Sequence, residues 1–146
     1  MSFGLDVNIL LCASDAGCPE YAKASAFVER CASGSEVFCM AWITLTSCLR
    51  MATHPAIFSK PLSHEDASRN VDALLALPRL RMIGEGEDAS FWKRYKQLSA
   101  ELPVRGNLVP DAHLAALLRQ HGVKTIYTRD KDFRNFTGLV VRDPLM

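Results

Sequence analysis

The chain has 146 residues, of which 49% are hydrophobic and 23% charged, a balance that excludes disorder and suits one domain with a sizeable core. Lys plus Arg number 17 against 16 Asp plus Glu, for a formal net charge of +1. A chain so near neutrality cannot coat a polyanion uniformly and would meet nucleic acid only through a local basic patch. The opening stretch MSFGLDVNILLCASDAGCPE has no basic leader, and Asp6 and Asn8 cut its apolar run. It reads as neither a signal peptide nor a membrane span, and a cytoplasmic location is expected.

Strand and helix signals alternate along the chain. Phe3–Val7 suits a buried strand, and Pro19 to Arg30 a helix with Tyr21, Ala24, Phe27 and Val28 along one side. Glu36–Met40 is a second strand and Trp42 to Met51 a helix, broken by the two prolines of THPAIFSKP. Ser63-x-x-Asp66 predicts the cap of a helix reaching about Leu77, with Leu80–Ile83 a third strand beyond Pro78. Asp88 caps a helix through Phe91, Tyr95 and Leu98. Val109 to Gln120 is the clearest helix, with Pro110 early, Asp111 in its first turn and Gly122 at its stop. Lys124–Tyr127 and Leu139–Val141 supply the last two strands. No repeat or linker interrupts the series.

The five cysteines, Cys12, Cys18, Cys31, Cys39 and Cys48, form no C-x-x-C pair and sit among apolar neighbours. They are expected to be small, buried, reduced thiols rather than zinc ligands or disulfides. His113 is expected to pack on its helix, while His54, His64 and His121 form no ligand set. Trp42, Phe133 and Phe136 are expected in the core. The run 91-FWKRYK-96 fits either a half-buried helix with a solvated face or an RNA contact.

Alternating strands and helices predict an α/β fold with a mostly parallel sheet, whose functional site lies beyond the carboxyl ends of the strands. Asp6 closes the first strand, Asp130 follows the fourth, and Asp111 opens the helix between them. Singly, each has a plain explanation: Asp6 a helix cap, Asp111 a partner of the helix dipole, Asp130 and Asp132 turn residues. Jointly, they place several carboxylates at one sheet edge. Two carboxylates about 4 Å apart repel by roughly 4 kcal/mol at an effective dielectric near 20, so convergence calls for a proton, a basic partner or a hard cation. Oxygen donors without a thiol or imidazole cluster suit Mg²⁺ or Mn²⁺, and such an ion supports phosphodiester hydrolysis.

The stretches 5-LDVNIL-10, 107-NLVPDAHLAA-116 and 128-TRDKDF-133, with the FTGL segment and the closing DPL, resemble the PIN domain, and more narrowly the toxins of VapBC toxin–antitoxin modules. The resemblance spans 1-146 as a single domain. It implies a three-layer α/β/α sandwich with a five-stranded sheet ordered 3-2-1-4-5 and Mg²⁺-dependent (or Mn²⁺-dependent) cleavage of RNA. By that resemblance Asp6, Asp111 and Asp130 are catalytic metal ligands and Asp132 is an outer or occasional ligand. Asn8 and Thr128 orient carboxylates or water. It further implies a cognate antitoxin and a toxin homodimer. The family usually places a glutamate where Ser47 stands, so metal binding is expected to be weaker, with slow, Mn²⁺-preferring or absent catalysis. Arg50, Arg129 and Lys131 are the expected RNA-binding cations, with His54, Lys60 and Arg134 nearby.

Two other readings stay open at this stage. One is a PIN-like RNA-binding or regulatory protein whose catalysis is lost. The other is a haloacid-dehalogenase-type phosphotransferase with Asp6 as nucleophile, suggested by 6-DVN-8 but lacking a general acid at Asn8.

Overall fold

The computed structural model describes residues 2–146. The strands β1 (Ser2–Leu5), β2 (Val37–Ala41), β3 (Leu80–Ile83), β4 (Thr125–Tyr127) and β5 (Val140–Arg142) form one sheet ordered β3-β2-β1-β4-β5, and every neighbouring pair is parallel. The helices are α1 (Val7–Ser14), α2 (Tyr21–Ser33), α3 (Trp42–Ala52), α4 (His64–Leu75), α5 (Ser90–Ser99) and α6 (Leu108–Gln120), with a 3₁₀ turn over Lys131–Asn135. This is the expected three-layer α/β/α arrangement.

Side-chain alternation on the strands divides the core in two. Phe3 and Leu5 of β1, with Phe38 and Met40 of β2, face α1 to α4, where Ile9, Phe27, Leu45 and Val71 complete one apolar cluster. Cys39 and Ala41 of β2 and Ile126 of β4 face the other way, against Leu98, Leu114 to Leu118, Phe133 and Phe136. Gly4, between Phe3 and Leu5 on β1, faces the second cluster. A Cβ there would lie 2.7 Å from Leu118 Cδ2, so the missing side chain lets α6 seat directly on β1. Gly122, at φ +69°, ends α6 in the left-handed region that side chains resist.

The helix α1 departs from expectation: Val7, expected at the end of the first strand, opens it instead. Leu5 ends β1, and Asp6, at φ −89° and ψ 161°, caps α1 by accepting the Val7 amide at 2.8 Å. A second correction concerns the cysteines. Cys12 and Cys18 form a disulfide. The last turn of α1 and the short turn leading to α2 bring their Cα atoms to 5.5 Å, a proximity created by the reversal between two helices and invisible in linear spacing. Cys31, Cys39 and Cys48 are free and buried, and burial raises all three thiols above their ordinary pKa. Third, Trp42 is not in the core but 57% exposed, whereas Phe133 and Phe136 are fully enclosed. Among the described residues no helix is long and apolar enough to cross a membrane.

Candidate metal and nucleic-acid site

Parallel strands point their carboxyl ends the same way, so β1 and β4 deliver their following residues to one edge. Asp6 is 7% exposed. Its amide bonds the carbonyl of Tyr127 at 3.1 Å, extending the β1–β4 ladder by one step before the chain turns into α1. Thr128 caps the other side: its Oγ1 donates to Asp6 Oδ2 at 2.7 Å and accepts the Asp130 amide at 2.9 Å. Asn8 Nδ2 contacts the same Thr128 oxygen at 3.2 Å and Asp6 Oδ2 at 3.4 Å. The Thr128 hydroxyl thus donates once and accepts twice, its full capacity.

Asp130 repeats the capping geometry, accepting the Asp132 amide on Oδ1 at 2.9 Å. Asp111 enters from the first turn of α6. One carboxylate oxygen each from Asp111, Asp130 and Asp132 lie within 4.8 Å of one another. Asp6, Asp111 and Asp130 line one cleft of about 350 Å³ together with Asn8, Ile43, Thr44, Ser47, Arg50, Asn107 and Pro110. The structure therefore brings the three aspartates from distant parts of the sequence to one place, with Asp132 at the margin.

The electrostatics match this crowding. Burial raises the Asp6 carboxyl above its ordinary pKa, an effect opposed by the Thr128 and Val7 hydrogen bonds and reinforced by Asp130. Burial, followed by the charges of Asp130 and Asp6, pushes Asp111 up to about 7. None of the four aspartates forms a salt bridge among the described residues. Converging carboxylates with no salt-bridge partner among the described residues, all offering oxygen, are of the donor type that could hold a hard divalent cation. Asp111, Asp130 and Asp132 are placed to hold such an ion directly, with Asp6 bordering the same space.

The expected basic residues separate. Arg50 is exposed, lines the cleft and pairs with no acid among the described residues. Arg129 is held elsewhere by Glu20, whose two oxygens accept its guanidinium at 3.2 and 3.3 Å. Its amide also donates to Asn8 Oδ1 at 3.3 Å. Lys131 and Arg134 line a small depression with Thr128, Arg129 and Asp143 that shares Asp130 with the cleft. Ser47 does line the cleft. Glu20 and Thr44 were missed from sequence. No local signal marks a glutamate pairing 109 residues away, and Thr44 was lost within an apolar helix. The phosphotransferase reading loses ground here: both Asp6 oxygens are engaged by Val7, Thr128 and Asn8, and Asn8 supplies no acid.

A five-stranded parallel sheet whose central strand ends meet near a cluster of aspartates defines an α/β domain with a carboxylate-lined cleft at its sheet edge. The chain belongs to the PIN-domain family, whose family model matches residues 5–139. It is 40% identical to Ribonuclease VapC48 of Mycobacterium tuberculosis over 144 residues, covering 99% of this chain and 98% of that protein. It is also 34% identical to Ribonuclease VapC43 of the same organism over 141 residues, covering 97% and 94%. In fold it resembles VapBC2 of Rickettsia felis, solved bound to a promoter DNA fragment, with a TM-score of 0.69 at 20% identity over 98% of both chains. It likewise resembles Mycobacterium tuberculosis VapC20, a toxin that cleaves the sarcin-ricin loop, with a TM-score of 0.66 at 18% identity, covering 94% of this chain and 98% of that one.

Proposed function

We propose that this chain is a divalent-cation-dependent endoribonuclease and the toxin of a type II toxin–antitoxin pair. The observation that carries the reading is the convergence of Asp6, Asp111 and Asp130 on one cleft without a cationic partner. The full-length relatedness to VapC ribonucleases supports it. Mg²⁺ or Mn²⁺ held by Asp111, Asp130 and Asp132 would lower the pKa of a bound water and polarise a phosphate oxygen.

The chain's own residues have definable parts. Asp6 is the buried anion that shapes the floor of the site. Thr128 and Asn8 fix its orientation and thereby link it to Asp130. Arg50, unpaired at the cleft wall, neutralises an approaching phosphate. Arg129 and Lys131 take secondary positions along the strand's path. Its partners are an RNA substrate in the cytoplasm, a cognate antitoxin and a second copy of the chain.

Ser47 favours a second reading. A neutral hydroxyl lines the cleft where the family usually has a glutamate, so one anionic donor is missing, and an RNA-binding protein without turnover fits the same geometry. Incubating purified protein with RNA, with and without Mg²⁺ or Mn²⁺, separates the two. Cleavage that needs the ion and disappears in Asp6→Asn supports the nuclease. Binding without cleavage under all conditions supports the second reading.

A further inference from the structure

The Cys12–Cys18 disulfide belongs to a series of contacts that ends beside the cleft. Cys18 Sγ lies 3.7 Å from Glu20 Oε2, and the two Glu20 oxygens grip the Arg129 guanidinium at 3.2 and 3.3 Å. One atom each from the Cys12, Cys18 and Glu20 side chains lie within 4.8 Å of one another. The circuit closes through α1. Asn8 stands one helical turn before Cys12, on the same face, and its Oδ1 accepts the Arg129 amide at 3.3 Å. Arg129 is thus held twice, by its backbone through Asn8 and by its side chain through Glu20.

Three features mark the bridge as one that opens. Cys12 is buried, whereas Cys18 is half-buried beside exposed Ala16, Gly17 and Pro19, so a small thiol reaches the Cys18 sulfur. The bonds from the Gly17 and Cys18 amides to Asp15 are internal to the turn, and its backbone link to α1 is a long one, from the Asp15 amide to the Cys12 carbonyl at 3.4 Å. Cys31, Cys39 and Cys48 are buried with raised pKa, which confines exchange to this pair.

We infer that the Cys12–Cys18 pair is a thiol–disulfide switch on Arg129: closed, it keeps Glu20 clamped on the guanidinium, and opened, it releases Arg129 to a phosphate. A disulfide sulfur carries no proton, so in the closed state Glu20 has the guanidinium as its hydrogen-bond partner. In the open state the Cys18 S–H donates to Glu20 Oε2. The freed turn no longer fixes Glu20 against Arg129, and a half-exposed ion pair is weak without such support. The depression that Arg129 lines shares Asp130 with the cleft, so a released guanidinium stands beside the path of a bound strand.

Opening is exchange with a low-molecular-weight cellular thiol. Its thiolate attacks Cys18 Sγ, the Sγ–Sγ bond breaks, and Cys12 leaves as a thiolate that takes a proton from water. A second small thiol resolves the mixed disulfide, leaving two protein thiols and one small-molecule disulfide. The reverse exchange closes the bridge, so an oxidising shift lowers the protein's grip on nucleic acid. The switch rests on the RNA-cleaving reading for its substrate, but the clamp is measurable without RNA.

The test compares oxidised and phosphine-reduced protein in chelator, with a 2′-O-methyl oligoribonucleotide that resists hydrolysis. Peptide mapping of the oxidised protein shows Cys12 joined to Cys18. Reduction tightens binding roughly threefold, the scale of one exposed ion pair, and steepens the slope of log affinity against log salt by about 0.7. It also speeds modification of Arg129 by phenylglyoxal, a readout that needs no RNA. Cys18→Ser and Glu20→Ala bind at the reduced level in both conditions, the serine because its hydroxyl donates to Glu20 as the thiol does. Equal affinity and equal Arg129 reactivity in the two states overturn the proposal, as does a response to reduction that persists in Glu20→Ala. Arg129 reactivity that rises on reduction in a protein with no affinity for RNA leaves the switch standing and removes the nucleic-acid reading instead.

Discussion

Thr128 Oγ1 donates a 2.7 Å hydrogen bond to Asp6 Oδ2, tying the end of β4 to the end of β1 across 122 residues of sequence. The same oxygen accepts the Asp130 amide, so one buried hydroxyl sets the relative position of two of the site's carboxylates. Thr128→Val keeps the shape and removes the hydroxyl, leaving Asp6 short of a donor and the Asp130 amide short of an acceptor. Stability in urea should fall by about 1–3 kcal/mol, and Thr128→Ser should recover most of it. Equal stability of wild type and Thr128→Val would mean that the hydrogen bond is not formed in solution.

Asp111 predicts an unusual pH dependence. Its folded-state pKa of about 7 stands above the ordinary 3.8, so the folded, metal-free protein holds a proton that the unfolded chain has released. The stability this contributes is full below 3.8 and is lost as pH rises to about 7. The melting temperature of the chelated protein should therefore fall between pH 5 and pH 8. Asp111→Asn should flatten the profile, and saturating Mn²⁺ should reverse the fall, because protons and metal compete for the same carboxylates. A melting temperature that rises over that range in chelator would contradict the crowding of these groups.

Ser47 offers a gain-of-function test. It already lines the cleft, so Ser47→Glu adds an anion to the oxygen cluster. Calorimetric titration should show divalent binding roughly tenfold tighter, on the order of 1.4 kcal/mol. Unaltered affinity would show that position 47 lies outside the reach of the ion.

Arg50 and Arg129 separate through their partners. Arg50 is unpaired at the cleft, whereas Glu20 already neutralises Arg129. Arg50→Ala should weaken RNA binding and reduce the salt slope by about 0.7. Arg129→Ala should do less of both, and Glu20→Ala should strengthen binding by freeing the guanidinium. Binding assays across salt concentrations distinguish these cases. A larger loss from Arg129→Ala than from Arg50→Ala would mean that RNA displaces the Glu20 contact.

These relationships were unequally legible in the sequence. The strands and the sheet edge that gathers Asp6, Asp111 and Asp130 follow from alternating periodicities and the geometry of parallel sheets. The helix α1 did not, because VNILLCAS is apolar on nearly every side and lacks the polar face that marks a helical period. Its one signal was Asp6, whose capping role and place in the site are the same geometry: the residue that turns the chain from strand to helix is held at the carboxyl edge. The Cys12–Cys18 bridge forms in the reversal between α1 and α2, and Glu20, just ahead of α2, meets Arg129 in the bend beyond β4. Such meetings are set by how the elements pack in three dimensions and leave no trace in local spacing. The exposure of Trp42 and Trp92 was equally hidden, since an aromatic residue in a mixed helix carries no mark of which side it faces.

The most direct measurement is anomalous scattering from a crystal of this protein grown with Mn²⁺. A manganese peak bonded to oxygens of Asp111 and Asp130, with Asp132 or Asp6 adjoining, is the expected result, and it should vanish in Asp130→Asn. A peak only at some other cluster, or none at saturating Mn²⁺, would contradict the reading of these aspartates as the grip on a catalytic cation.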